Sequence, residues 1–211
     1  MELTKYTHAC LLLKKYDTKL LVDPGAFTKD DIELTGIHAV VVTHEHSDHL
    51  DVEKLKQVLA QSPQAMIYTN ESVARQLEDL GSTVHIVEGG DELEIGDFKV
   101  TFVGGSHAQI FKDVDPIKNI GMIIDKALYV PGDSYYVPEQ KPAWLALPLN
   151  APWAKLEETL TFVKTMQPQH AFAVHDGLLS EAGHQVYGGG RGMPEGTEWH
   201  ELQPGDSIQI S

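Results

Sequence analysis

Apolar positions fall in short runs separated by polar turns, and no single period holds along the chain. The first stretch carries strand-like runs at Leu3–Tyr6, Ala9–Lys14 and Lys19–Val22, then the β-branched run Ala39-Val40-Val41-Val42-Thr43. A run that is apolar at every position predicts a strand covered on both faces. A helical period follows. Asp51 stands where an N-cap belongs, with Glu53 in the first turn and Leu55, Val58 and Leu59 on one face. Asn70 opens a second helical segment whose stripe of Val73, Leu77 and Leu80 ends at Gly81.

Strand-like runs return at Val84–Val87 and at Phe98–Val103, the latter after the turn pair Gly96-Asp97. Beyond a polar loop near Phe111–Lys118, Ile120–Ile124 and Ala127–Val130 flank the short turn Asp125-Lys126. The remainder alternates: Trp144–Leu149 is apolar, Leu156–Met166 helical, Ala171–Val174 a strand and Leu178–Val186 helical. A last strand, Ser207–Ile210, follows the turn Pro204-Gly205-Asp206. Strands interleaved with helices predict an α/β chain with sheets inside and helices outside. With no linker-like stretch in 211 residues, the span 1–211 reads as a single domain. Two buried strands end in metal-type residues, Val42-Thr43-His44 and Tyr129-Val130-Pro131-Gly132-Asp133. That echo points to a two-fold arrangement with a site between the halves.

Composition narrows the function classes. A formal net charge of −15 argues against extended nucleic-acid contact, which requires a basic surface to replace counterions. The single cysteine, Cys10, leaves no intramolecular disulfide, and its apolar setting predicts a small buried hydrophobe. The segment Met1–Tyr6 has no basic region followed by an apolar stretch, and no apolar run approaches ~20 residues. The expected setting is therefore the cytoplasm, without membrane attachment and with a small-molecule substrate; oligomeric state is left open.

The densest chemistry lies in His44-Glu45-His46-Ser47-Asp48-His49. His44 and His46 are two apart, so on a chain still extended they point to the same side. Asp48 and His49 are adjacent and can serve a second position after a turn. The helical zinc pattern His-Glu-x-x-His does not apply, because Asp48 occupies the second histidine's place. Three further candidates each lie just past a strand: His107 after Gly104-Gly105-Ser106, Asp133 after Pro131-Gly132, and His175 before Asp176-Gly177. Together they supply enough imidazole and carboxylate for two ions. Two adjacent dications lower the pKa of a shared water and polarise a carbonyl or phosphoryl group, with Asp48 placed to orient the nucleophile or take its proton.

The run Thr-His-x-His-x-Asp-His at 43–49, with later His107, Asp133 and His175 and the earlier Asp23 in Val22-Asp23-Pro24-Gly25, resembles the metallo-β-lactamase fold superfamily. The resemblance spans about residues 3–210. It implies a four-layer αββα sandwich and a metal-dependent hydrolase. It also implies one cation on His44, His46 and His107, a second on Asp48, His49 and His175, and Asp133 bridging both. Asp23 would buttress the metal loop through hydrogen bonds. The opening Tyr6-Thr7-His8-Ala9 resembles the branch of L-ascorbate 6-phosphate lactonase-like proteins. Family members with diiron redox chemistry have an acidic residue where His46 stands, and the histidine favours hydrolysis. Zinc is the first expectation for the two divalent ions, while manganese and iron also suit histidine and carboxylate.

Outside the motif, His8 and Tyr135 are candidates for substrate contact, each weighed against a structural role. The loop Asn150-Ala151-Pro152-Trp153 could wall the pocket, and Gly188-Gly189-Gly190-Arg191-Gly192 reads as a loop, since it lacks the Lys-Ser/Thr ending of a phosphate cradle. Two other functions stay open: a nuclease or RNA-processing phosphodiesterase of the same fold, and a metal-binding protein without turnover.

Overall fold

The computed structural model describes residues 1–29, 32–188 and 190–211. In chain order the strands are β1 (Glu2–Lys5), β2 (Leu11–Lys15), β3 (Thr18–Val22), β4 (Ala39–Val42), β5 (Met66–Thr69), β6 (Val84–Ile86) and β7 (Glu92–Ile95). There follow β8 (Phe98–Val103), β9 (Gly121–Ile124), β10 (Leu128–Val130), β11 (Trp144–Pro148), β12 (His170–Val174), β13 (Glu198–His200) and β14 (Ser207–Gln209). The helices are α1 (Val52–Gln61), α2 (Glu71–Gln76), α3 (Leu156–Met166) and α4 (Glu181–Tyr187), with a 3₁₀ segment at Glu78–Thr83.

The strands form two seven-stranded sheets, ordered β14-β1-β2-β3-β4-β5-β6 and β13-β12-β11-β10-β9-β8-β7. Each sheet changes character midway. Pairing is antiparallel from β14 to β3 and from β7 to β10, then parallel from β3 to β6 and from β10 to β13. The two-fold echo is thus real in topology, but shifted by one strand from the sequence reading. The strand that turns antiparallel into parallel is β3 in one sheet and β10 in the other, so Asp133 corresponds to Asp23 rather than to His44.

Alternation along the strands builds three apolar layers. Leu11, Leu13, Leu20, Val22, Ala39 and Val41 face inward and meet Phe98, Val100, Phe102, Met122, Ile124, Ala146 and Phe172 of the other sheet. Their neighbours Leu12, Leu21, Val40 and Val42 face outward and are covered by Leu55 and Val58 of α1 and Val73 of α2. On the far side Leu145, Leu147, Ala171 and Ala173 are covered by Phe162, Val163 and Met166 of α3. This is the αββα sandwich the resemblance implied.

The helix caps form as expected: Asp51 accepts from the N–H groups of Glu53 and Lys54, and Asn70 from those of Ser72 and Val73. Three local readings change. The helix from Asn70 does not run to Gly81; Leu77 breaks it at φ −107°, ψ 17°, and a 3₁₀ turn follows. The helix expected from Leu178 begins only at Glu181, because the Ser180 side chain accepts from the Gly183 N–H and caps it there. Strands β5, β7 and β13 come in addition to the runs read from the sequence, although Glu92-Leu93-Glu94-Ile95 of β7 alternates, and each is held by its neighbours' hydrogen bonds. Gly188 caps α4, and Gly189 lies outside the described residues.

Phe172 is fully buried between the sheets. Its replacement by alanine is expected to cost about 3–5 kcal/mol of stability. Chemical denaturation measures this, and a loss below about 1 kcal/mol would show that the inter-sheet layer is not the core.

Candidate metal centre

The candidate ligands stand beyond the carboxyl ends of strands that run in one direction within their sheets. Asp23 follows β3, His44 follows β4 and His175 follows β12, while His107 and Asp133 lie shortly past β8 and β10. His46, Asp48 and His49 occupy a tight turn in which the N–H groups of His49 and Leu50 both donate to the His46 carbonyl, at 3.0 and 2.9 Å. Gly25 packs on this turn so closely that a Cβ there would lie 2.0 Å from the Asp48 carbonyl oxygen.

All the predicted ligands converge. His44, His46, His107 and Asp133 form one group, and His8, Asp48, His49 and His175 a second. In each group one potential ligand atom per residue lies within 4.8 Å of the others. Asp133 joins the two. Its Oδ2 lies 3.3 Å from His107 Nε2, 3.1 Å from His175 Nε2 and 3.9 Å from His44 Nε2, and its Oδ1 is 3.2 Å from His49 Nε2. Only His46 and Asp48 of this set are partly exposed, so they mark the mouth of the site.

Hydrogen bonds on the outer side of each ring fix which nitrogen faces inward. His49 Nδ1 donates to Asp23 Oδ2 at 2.8 Å, His175 Nδ1 to the Asn150 carbonyl at 2.7 Å, and His107 Nδ1 to the Ala108 carbonyl. The Thr43 hydroxyl donates to Asp23 Oδ2, so its oxygen accepts from His44 Nδ1 at 3.0 Å. In the neutral rings of these four histidines the lone pair is therefore on Nε2, turned toward the cluster. Asp23 thus orients His49 directly and His44 through Thr43, whose N–H also donates to Asp23 Oδ1 at 2.8 Å.

His8 differs, although distance alone groups it with the second set. Its Nδ1 accepts from the Gly177 N–H at 3.3 Å, so Nε2 carries the proton and donates to Asp48 Oδ2 at 3.0 Å. The side chain is fully buried and presents no free lone pair, so it faces Asp48 rather than an open pocket. Tyr135 likewise turns away: its hydroxyl bonds Thr159, and its ring packs on Trp153 and Phe162.

Several residues emerge that the sequence did not single out for these contacts. Trp153 Nε1 donates to Asp133 Oδ2 at 2.9 Å, giving the loop after β11 a direct hold on the central carboxylate. Asn119 Oδ1 accepts from the Asp133 N–H at 3.0 Å while its Nδ2 donates to the Pro131 carbonyl, fixing the turn. Beside His175, buried Lys5 pairs with Asp176 at 3.1 Å. An indole and an amide in loops after strands were the available signals; the Lys5–Asp176 pair, far apart in sequence, left none.

Electrostatics show what the cluster needs. His49 Nε2, His107 Nε2 and Asp133 Oδ1 are buried without a hydrogen-bond partner, a state that costs about 1–3 kcal/mol per group. Burial alone would raise the Asp133 pKa, yet His49, His107 and His175 hold it well below the carboxylate range. Burial would lower His175, but Asp133 and Asp48 outweigh it and raise the pKa to about 9. His49 is raised in the same way, against burial, by Asp133 and Asp23. Burial, with His49 next, keeps His44 neutral by lowering its pKa. The cluster draws in protons where cations would sit, and its inward lone pairs fit divalent metal ions.

Two expectations follow. Metal binding at neutral pH displaces the protons on His49 and His175, so affinity rises with pH toward about 9. Calorimetric titrations in buffers of different ionisation enthalpy will show net proton release; identical heats would contradict this. Asp23→Asn is expected to weaken metal binding about 10- to 100-fold by loosening His49 and Thr43, as read by competition with a chelator.

Similarity to known proteins agrees with this geometry. The chain is 34% identical over 194 residues to protein Rv0786c of Mycobacterium tuberculosis, covering 90% of each. It is 30% identical over 152 residues to a UPF0173 metal-dependent hydrolase of Christiangramia forsetii, covering 67% of this chain and 66% of that one. The fold superposes on Igni18, a metallo hydrolase from Ignicoccus hospitalis, with a TM-score of 0.73 at 17% identity, covering 98% and 97% of the two chains. Residues 2–175, which contain every ligand candidate, match the model of the beta-lactamase superfamily domain, and the chain belongs to that family.

Proposed function

We propose that the chain hydrolyses an ester, lactone, amide or phosphodiester bond in a small molecule, using two divalent cations. The observation that carries this reading is Asp133, a buried carboxylate within 3.1–3.3 Å of imidazole nitrogens on both sides of the cluster. His44, His46 and His107 would hold one cation, and Asp48, His49 and His175 the other, with Asp133 shared. Zinc is the first choice on the donor set, with manganese and iron as alternatives. Two such ions supply a hydroxide nucleophile at neutral pH and polarise the scissile group.

The chain's own residues do the positioning. Asp48 sits at the mouth, its side chain 17% exposed, and His8 holds one of its oxygens from behind. Burial opposes ionisation of Asp48, but the bonds from His175 and His8 hold its pKa far below the usual range. A carboxylate so acidic acts by accepting a hydrogen bond and aligning the nucleophile, not by storing a proton. Trp153 and Asn119 fix Asp133 between the two groups.

The bond cleaved is constrained by the walls. Beside His46 and His107 lies a pocket of about 240 Å³ lined by Ile110, Phe111, Val114, Pro116 and Ile117. Phe111 and Val114 are largely exposed, which supports a substrate with an apolar group next to the scissile bond. The Tyr6-Thr7-His8-Ala9 opening keeps lactones of the lactonase-like branch in the set.

The test is metal analysis of the purified protein, then assay of lactones, esters, amides and phosphodiesters with that metal. His46→Ala is expected to lose one metal equivalent and to reduce turnover at least about 100-fold, while remaining folded because residue 46 is partly exposed. Full turnover by His46→Ala, or by metal-stripped wild type, would sink the reading.

A further inference from the structure

A second set of metal-type side chains lies at the opposite end of β12. His170 opens that strand and His175 follows it, a separation of roughly 16 Å at about 3.3 Å per residue. In the parallel pairing of β12 with β13, His170 stands opposite Glu198 and Phe172 opposite His200. Residues two apart on a strand share a face, so His170, Glu198 and His200 project on one side of the sheet.

Their donor atoms converge. His170 Nδ1 lies 3.1 Å from His200 Nε2 and 3.2 Å from Glu198 Oε2, and His200 Nε2 lies 3.9 Å from the same oxygen. Ligands about 2.0–2.1 Å from a tetrahedral ion stand roughly 3.3 Å apart, close to the mean of these three edges. A single proton on His170 Nδ1 would satisfy only one of its two neighbours. The rings are held in place as well. Both stack on Trp144, with centroids at 4.3 and 4.8 Å and planes inclined by 22° and 26°. Trp144, His170 and Glu198 form one row across β11, β12 and β13.

We propose that His170, Glu198 and His200 form a further site for one divalent transition-metal ion, separate from the hydrolytic centre and with its remaining position open to solvent. Two imidazoles and a carboxylate suit zinc or copper(II). An ion held there would tie the three-residue edge strand β13 to β12. Glu198 and His200 lie beyond residues 2–175, the part of the chain matched by the family model.

Equilibrium dialysis of metal-stripped protein against zinc tests this. His200→Ala and Glu198→Ala are each expected to hold one zinc equivalent fewer than the wild type, with hydrolysis unchanged. The comparison is a difference, so it holds whatever number of ions the hydrolytic centre takes. His46→Ala, conversely, keeps this equivalent. In a second measurement, copper(II) quenches Trp144 emission in the wild type, and both variants lose that component; Trp144→Phe identifies it. Glu198 has a side chain 66% exposed, so its alanine variant is expected to fold even where His200→Ala does not. Equal zinc content in the wild type and Glu198→Ala, or quenching that persists in that variant, overturns the proposal.

Discussion

A carboxylate buried among imidazoles sets the terms for everything around it. Asp133 is ionised at 2% exposure, and the attraction of His49, His107 and His175 keeps it so. Burying a charge is costly unless it is paired and hydrogen-bonded. Here the partners come from both sheets: Trp153 and Asn119 from its own, and His49 from the other. The sandwich has to bring the ends of β3, β4, β8, β10 and β12 to one edge for this charge to be tolerated. The apolar layers beneath act as the spacer that holds those ends at the right separation.

Around Asp133 the chain accepts local conformations that side chains usually avoid. His8, Asp23 and His175 all have positive φ, at 68°, 46° and 58°. Residues other than glycine pay for this region with steric strain and persist there only when their surroundings over-determine them. Each of the three is so determined. His175 N–H donates to the His8 carbonyl at 3.0 Å, Asp23 N–H donates to the Val41 carbonyl at 3.0 Å, and the His8 ring is held between Gly177 and Asp48. Tyr16, Asp125, Lys126 and Gln167 adopt positive φ in turns elsewhere, so what sets the site apart is the buried hydrogen bonding that holds these three.

How much of this was legible beforehand depends on the distance over which each feature is encoded. The buried run Ala39–Thr43 and the caps Asp51 and Asn70 are local, and they appear as read. The candidate ligands are legible because unusual residue types recur just past strands, and all of them come together. Strand β7 alternates as Glu-Leu-Glu-Ile and pairs with β8 across a short turn, so it was legible; β5 and β13 are set by pairing with partners remote in sequence, which no local period reports. For the same reason the two-fold echo was placed one strand off: sequence shows that a strand ends in Asp133, not which strand of the other sheet occupies the equivalent place. The direction of His8 is a further case, since the proton on its ring is decided by Gly177, which is remote in sequence.

The seam between the sheets carries a mechanical consequence. Ions held jointly by residues 44–49 of one sheet and by His107, Asp133 and His175 of the other would be cross-links between two halves that otherwise meet through side-chain packing and scattered bonds such as the Lys5–Asp176 pair and Ile120 N–H to the Thr43 carbonyl. The metal-free chain therefore has a route to opening along the inter-sheet layer. Saturating metal closes that route, adding about 2.7 kcal/mol per site at a hundredfold excess over the dissociation constant. The same ions that perform the chemistry would then act as rivets, and scarcity of metal would shorten the life of the fold as well as silence it.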